Sequence, residues 1–306
     1  MRTRRAFLRG LGAAGAGALL APRLLAAPAP ALATKPIPRT GERLPVIGMG
    51  SWITFDVAPF DTFRAPRVEV LRAFFAHGGA IVDSSPMYGH AEAVIGYALG
   101  KLRPHRGLFA ATKVWTPVQW HGRRQIDDSF RLWGVDRFDL LQVHNMVAWE
   151  SHLETLRDLK KQGRTRYIGI TTSHGRRLDE MERVLRAEPA FDFVQLSYSL
   201  LDREAEARLL PLARERGIAL IANRPFRTGA LIELLSTHPV PPFAAEAGCT
   251  TWPQLLLKFV VSHPAVTCAI PATSRVDHMV ENMAACREPL PDERWRARLV
   301  RHVESL

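Results

Sequence analysis

Eight short apolar runs, separated by amphipathic stretches, constrain this chain more than any other feature. They are residues 46–51 (VIGMGS), 80–84 (AIVDS), 108–113 (LFAATK), 138–144 (FDLLQVH), 167–171 (YIGIT), 193–198 (FVQLSY), 218–223 (IALIAN) and 266–271 (VTCAIP). Each is bounded by Gly, Pro or charge and does not alternate strictly, which is the pattern of strands covered on both faces. Between them, residues 66–77 gather Val70, Leu71, Phe74 and Phe75 on one side, and residues 151–161 gather Leu153, Leu156 and Leu159. Residues 203–216 carry Leu209, Leu210 and Leu212 before Gly217, and residues 252–263 and 276–286 complete the series. Strands joined through helices form right-handed parallel crossovers, and eight such units close into a (β/α)8 TIM barrel. A doubly wound sheet is the alternative. It would carry a glycine fingerprint after its first strand, and Gly48-Met49-Gly50-Ser51 lacks the third glycine and the helix. Residues 36–45, around Thr40-Gly41-Glu42, read as a hairpin across the bottom of the barrel. Residues 228–251, rich in Pro, Ala and Thr, read as a lid or a disordered insert.

Residues 1–33 read as an export signal. Thr3-Arg4-Arg5-Ala6-Phe7-Leu8-Arg9 fits a twin-arginine motif, a weakly apolar Gly/Ala run follows from Leu11 to Ala21, and Ala31-Leu32-Ala33 fits a small-residue cleavage site. The apolar run is too short and weak for a stable membrane span. Residues 34–306 then form a single barrel domain, a length that suits an α/β barrel. The expected location is the periplasm or another exported compartment, with the twin-arginine export machinery as a transient partner. That route carries chains already folded. The formal charge of +11 is inflated by the leader: removing its five arginines from 41 basic residues leaves 36 against 30 acidic ones, or +6. This is an ordinary solubility charge. No basic stripe interleaved with aromatics points to nucleic acid. Cys249, Cys268 and Cys286 are odd in number, lack metal-ligand spacing and demand no disulfide.

The chemistry concentrates at the carboxyl ends of three successive runs, where a parallel barrel carries its active site. Asp83, Lys113 and His144 end the second, third and fourth strands, and Tyr88 lies five residues beyond Asp83. Adjacent strands are about 4.8 Å apart, so these side chains can converge. A tyrosine acts as an acid near neutral pH when its pKa is lowered from about 10. A buried ammonium does that, and a carboxylate keeps the ammonium charged. A histidine can orient a substrate oxygen beside the hydroxyl. Lys113 is therefore expected to lower the pKa of Tyr88. No His/Asp/Glu cluster shows ligand spacing, which speaks against a metal-using barrel.

With these residues in view, the chain resembles the aldo-keto reductase family from about residue 40 to residue 286. The resemblance is carried by Asp83-Ser84-Ser85-Pro86-Met87-Tyr88-Gly89, by Thr112-Lys113-Val114-Trp115 and by Leu140-Leu141-Gln142-Val143-His144. Leu44 to Trp52 and Gln195 to Arg203 also fit, the latter most like the bacterial and channel-subunit branches. The resemblance implies a reduced nicotinamide that gives a hydride to the carbon of a small carbonyl substrate. Tyr88 would protonate the oxygen, Lys113 lower the pKa of Tyr88, Asp83 hold Lys113 and His144 orient the oxygen. Trp52 and Trp115 would line the substrate mouth. Gln195 matches the glutamine that binds the carboxamide, and Thr171 keeps a hydroxyl where the family has serine. Thr172 stands where the family usually has Asn, and Asn223 where it often has an aromatic stacked on the nicotinamide. Ala272 replaces a common lysine, so Thr273, Ser274 and Arg275 are expected at the 2′-phosphate, with Glu281 and Asn282 at the adenine. NADPH is the expected cofactor, and NADH is possible. Substrate specificity is expected in residues 53–65, 115–123 and 228–251. The competing reading is a catalytically slow, cofactor-binding or regulatory subunit of the same fold.

Overall fold

The apolar runs form one parallel sheet that closes on itself. A computed structural model describes residues 31–103 and 107–306. The strands are β1 (Thr34–Pro36), β2 (Arg43–Pro45), β3 (Met49–Gly50), β4 (Ile81–Asp83), β5 (Phe109–Val114), β6 (Phe138–Val143), β7 (Thr165–Thr171), β8 (Phe193–Ser197), β9 (Ala219–Asn223) and β10 (Val266–Ala269). β3 to β10 pair in chain order. The seam between β10 and β3 is closed by parallel bridges from Ile47 to Ala269 and from Gly50 to Ala272. There the Gly50 N–H donates to the Pro271 carbonyl over 3.0 Å. A Cβ at Gly50 would lie 2.8 Å from the Ile270 carbonyl oxygen, so this close seam requires glycine.

The period of two along each strand fills the barrel in layers. Ile81, Phe109, Ala111, Leu140, Tyr167, Phe193, Ala219, Ile221, Cys268 and Ile270 form the enclosed inner core, which Ile37 and Leu44 seal from below. β1 and β2 are the expected antiparallel hairpin. The outward residues, such as Val82, Ala110, Leu141, Ile168, Val194 and Leu220, join the larger core beneath the helices. One inward step above the apolar layer come Asp83, Lys113, Gln142 and Gln195, so the layer that follows the core is polar.

The helices are α1 (Asp61–Ala76), α2 (Ala91–Lys101), α3 (Gln119–Trp133), α4 (Trp149–Lys161), α5 (Leu178–Ala187), α6 (Leu209–Glu215), α7 (Ala230–Leu235), α8 (Trp252–Ser262), α9 (Val276–Ala284) and α10 (Glu293–Glu304). Four expectations change. α1 starts at Asp61, a turn before residue 66. The helix expected over 203–216 splits at Arg208 into a 3-10 turn and α6, next to Pro211. Residues 228–251 are not a disordered insert: α7 and a 3-10 segment, Pro242–Ala247, are anchored by buried Leu231, Leu235, Phe243 and Ala247, and Thr228, Gly229, Ile232, Glu233 and Ser236 border a cavity. α10 lies beyond the last expected helix and buries Trp295 and Leu299.

The export signal falls outside the described residues except at 31–33. There Leu32 bridges Arg287, the Ala33 N–H donates to the Cys286 carbonyl over 2.7 Å, and the Ala33 carbonyl accepts from the Val46 N–H over 3.1 Å. Ala33 is fully buried. The folded unit thus includes residues that the sequence pattern assigns to the cleavage site. No helix among the described residues is long and apolar enough to cross a membrane.

Candidate active site

Asp83 is the hub of the polar layer. Its Oδ2 accepts from Lys113 Nζ over 2.5 Å. Its Oδ1 accepts from Gln142 Nε2 over 3.0 Å and from Gln195 Nε2 over 3.2 Å. Lys113 is 0 % exposed and also donates to the Ser84 carbonyl over 2.8 Å. Burial pushes its ammonium towards the neutral form, but Asp83 and then Tyr88 outweigh that and raise its pKa.

Tyr88 reaches this pair through a tight turn. Its N–H donates to the Ser85 carbonyl over 2.9 Å across Pro86-Met87, with proline at the turn position that its fixed φ suits. The Lys113 ammonium lies 5.2 Å from the centre of the Tyr88 ring, which meets His144 edge-on at 5.6 Å. The net shift of Tyr88 reverses the expectation. Burial raises its pKa and outweighs the downward pull of Lys113, so the phenol is protonated throughout the neutral range. His144 is lowered to about 2, by burial first and the Lys113 charge second, and is therefore a neutral imidazole.

These groups open into a cavity of about 690 Å³, a size suited to a small-molecule site. Of the expected residues, Trp52, Asp83, Tyr88, His144, Thr171, Thr172, Gln195, Asn223, Thr273, Glu281 and Asn282 line it. Four others do not. Lys113 is enclosed beneath the cavity, behind its lining. Trp115 is 41 % exposed outside the cavity, its backbone pinned to α3 by two 2.9 Å bonds with the Gln125 amide. Ser274 is exposed, and Arg275 turns to Asp277, with Nε 3.0 Å from Oδ1. Thr172 and Asn223 are tied into the wall: the Thr172 hydroxyl donates to the Arg176 carbonyl, and Asn223 Nδ2 donates to the Thr172 carbonyl over 3.0 Å. Asn223 Oδ1 accepts from Ser197 Oγ over 2.7 Å.

Several lining residues escaped sequence reasoning: Asn145, His174, Arg224 and His278. They stand on loops or at a helix start, where no period marks direction. Gln142, behind the cavity, could have been found by counting inward positions back from His144. Among the described residues no group of His, Cys, Asp or Glu could hold a metal ion, and the three cysteines are buried and free.

A phenol, a neutral imidazole and a fully enclosed ammonium beside an apolar cavity can stabilise negative charge developing on one substrate oxygen. The model of the Aldo/keto reductase family matches residues 46–299. The chain belongs to the aldo/keto reductase family. As a member of it, the protein is an oxidoreductase. Aldo-keto reductase YhdN of Bacillus subtilis (strain 168) is 27% identical over 199 residues, 60% of this chain and 58% of that one. The NADH-specific methylglyoxal reductase of Escherichia coli (strain K12) is 23% identical over 317 residues, covering 84% of this chain and 94% of that one. The crystal structure of an aldo/keto reductase from Klebsiella pneumoniae in complex with NADP and acetate superimposes with a TM-score of 0.72 at 28% identity, covering 86% of this chain and 92% of that one.

Proposed function

We propose that this family member reduces an aldehyde or ketone to an alcohol with NADPH, and that Tyr88 is the general acid. The observation that carries the reading is Lys113, wholly enclosed, held by Asp83 and set against Tyr88 at the floor of an apolar cavity. A bound reduced nicotinamide supplies the hydride. Tyr88 gives its proton to the carbonyl oxygen as charge develops there, Lys113 stabilises the phenolate left behind, and His144 orients the oxygen.

The residues present fit a dinucleotide. The cavity runs from Tyr88 to Asn282, and Thr171, Gln195 and Thr273 place buried polar groups along it. Gln195 and Thr171 would hold the carboxamide. At the far end α9 starts without a side-chain cap, and its first turn could meet a phosphate, with Thr273 and His278 beside it. Arg275 would have to leave Asp277 to join them.

The test is steady-state NADPH and NADH oxidation with a panel of aldehydes and ketones. Reduction of at least one carbonyl, with tighter NADPH than NADH, is expected. The slow regulatory reading is favoured by Thr172 and Asn223, which bond to the wall and leave the nicotinamide without an aromatic partner. Cofactor binding with every carbonyl left unreduced would establish that reading instead.

We further propose export through the twin-arginine route, on the strength of Arg4-Arg5 and the run behind them. Changing both arginines to lysine is expected to hold the protein in the cytoplasm of its host cell. An unchanged distribution between cell fractions would remove the proposal.

A further inference from the structure

The loop between Asp83 and Tyr88 does more than carry the acid. Ser85 precedes Pro86, which restricts it to an extended backbone and sends its side chain back over the turn. Its Oγ accepts the Met87 N–H over 3.2 Å and lies 2.8 Å from His144 Nδ1. Ser85 is fully buried. The other ring nitrogen of His144, Nε2, makes no bond to the described residues and is not sealed from solvent, on a side chain that lines the cavity.

We propose that Ser85 is a positioning residue that sets the tautomer of His144: its hydroxyl donates to Nδ1 and leaves the imidazole proton on Nε2, open to the cavity. The hydrogen-bond inventory decides the direction. Ser85 Oγ already accepts one N–H. If Nδ1 carried the proton, Oγ would accept twice and its own proton would be left unpaired in a closed site, which is costly. The Nε2 lone pair would also face the lone pairs of an incoming carbonyl oxygen. With the proton on Nε2, every group is satisfied and the imidazole can donate to that oxygen. The turn Ser85-Pro86-Met87-Tyr88 then orders both substrate donors at once, Tyr88 through its backbone bond and His144 through the hydroxyl.

The role assigned to Nε2 rests on the carbonyl-reductase reading, whereas the tautomer does not, and the test separates them. The full chain is labelled with ¹⁵N-histidine, and the His144 resonances are identified by their loss in His144→Gln. The expected spectrum shows a protonated Nε2 and a bare Nδ1. In Ser85→Ala the two nitrogen shifts should move towards each other as the tautomers mix, and kcat/KM for a reduced carbonyl should fall about tenfold with NADPH affinity unchanged, the size of one lost hydrogen bond. Ser85→Cys, of similar size but a weaker donor, should fall between and serves also if the alanine variant does not fold. A bare Nε2 in the wild type, or a tautomer unmoved by both substitutions, overturns the proposal. If no carbonyl is reduced, the spectrum alone still decides it, and only the function of Nε2 is lost.

Discussion

Tyr88→Phe is expected to lower carbonyl reduction by about 10²–10⁴-fold while NADPH binds nearly as in the wild type. Phenylalanine keeps the ring that meets His144 edge-on at 5.6 Å, so the fold and the cavity wall should persist. What disappears is the proton that Tyr88 is proposed to give to the substrate oxygen. Burial holds the phenol above its ordinary pKa despite Lys113. This does not weaken the acid's role, because catalysis depends on what the site does as charge moves. On the proposed mechanism, the buried Lys113 ammonium would act most strongly on the phenolate forming in the transition state, in surroundings where screening is poor. The pH dependence has a definite sign. Because the folded pKa is raised, the proton-bearing form holds through neutrality, and reduction should fail only on the alkaline side. Turnover close to wild type in Tyr88→Phe, read from steady-state NADPH oxidation, would remove Tyr88 as the acid.

The barrel was legible because its strands are buried on both faces and therefore stand out as apolar runs. Met49–Gly50 is shorter than the run 46–51 that announces it, since the seam uses single bridges at Ile47 and Gly50. Asp83, Lys113 and His144 were legible because they end apolar strands, where direction follows from a period of two. Legibility failed where direction has no period. Arg275 stands at a helix start and is captured by Asp277 two residues on, an exposed local pair that sequence position does not reveal. Trp115 lies just past β5, where Gln125 fixes the backbone. Residues 228–251 looked like an insert because Pro and Ala dilute four widely spaced anchors, Leu231, Leu235, Phe243 and Ala247, which only the packed structure brings together. The sign of the Tyr88 shift was missed for a related reason: the neighbouring cation is visible in sequence, but the desolvation that outweighs it is not.

Asp83→Asn is expected to damage stability and activity together, unlike Tyr88→Phe. Asp83 meets donors at both oxygens, Lys113 at one and Gln142 and Gln195 at the other. An asparagine of the same shape has only one acceptor oxygen, so its amide must turn a donor against at least one of these donors. Lys113, fully enclosed, would also lose its counter-charge. Breaking a buried pair from one side costs about 3–5 kcal/mol, because the remaining charge stays desolvated. The ammonium can escape part of that cost only by releasing its proton, since burial already favours the neutral amine and Asp83 is the largest influence opposing it. That escape would remove the charge proposed to stabilise the Tyr88 phenolate. Either outcome leaves the site impaired: a charged lysine gives a destabilised barrel, and a neutral one gives a barrel with a silent tyrosine. Urea melts should therefore shift by most of that energy, and kcat should fall even in the fraction that remains folded. Wild-type stability with wild-type kcat in Asp83→Asn would mean that the enclosed pair neither holds the floor of the cavity nor powers its acid.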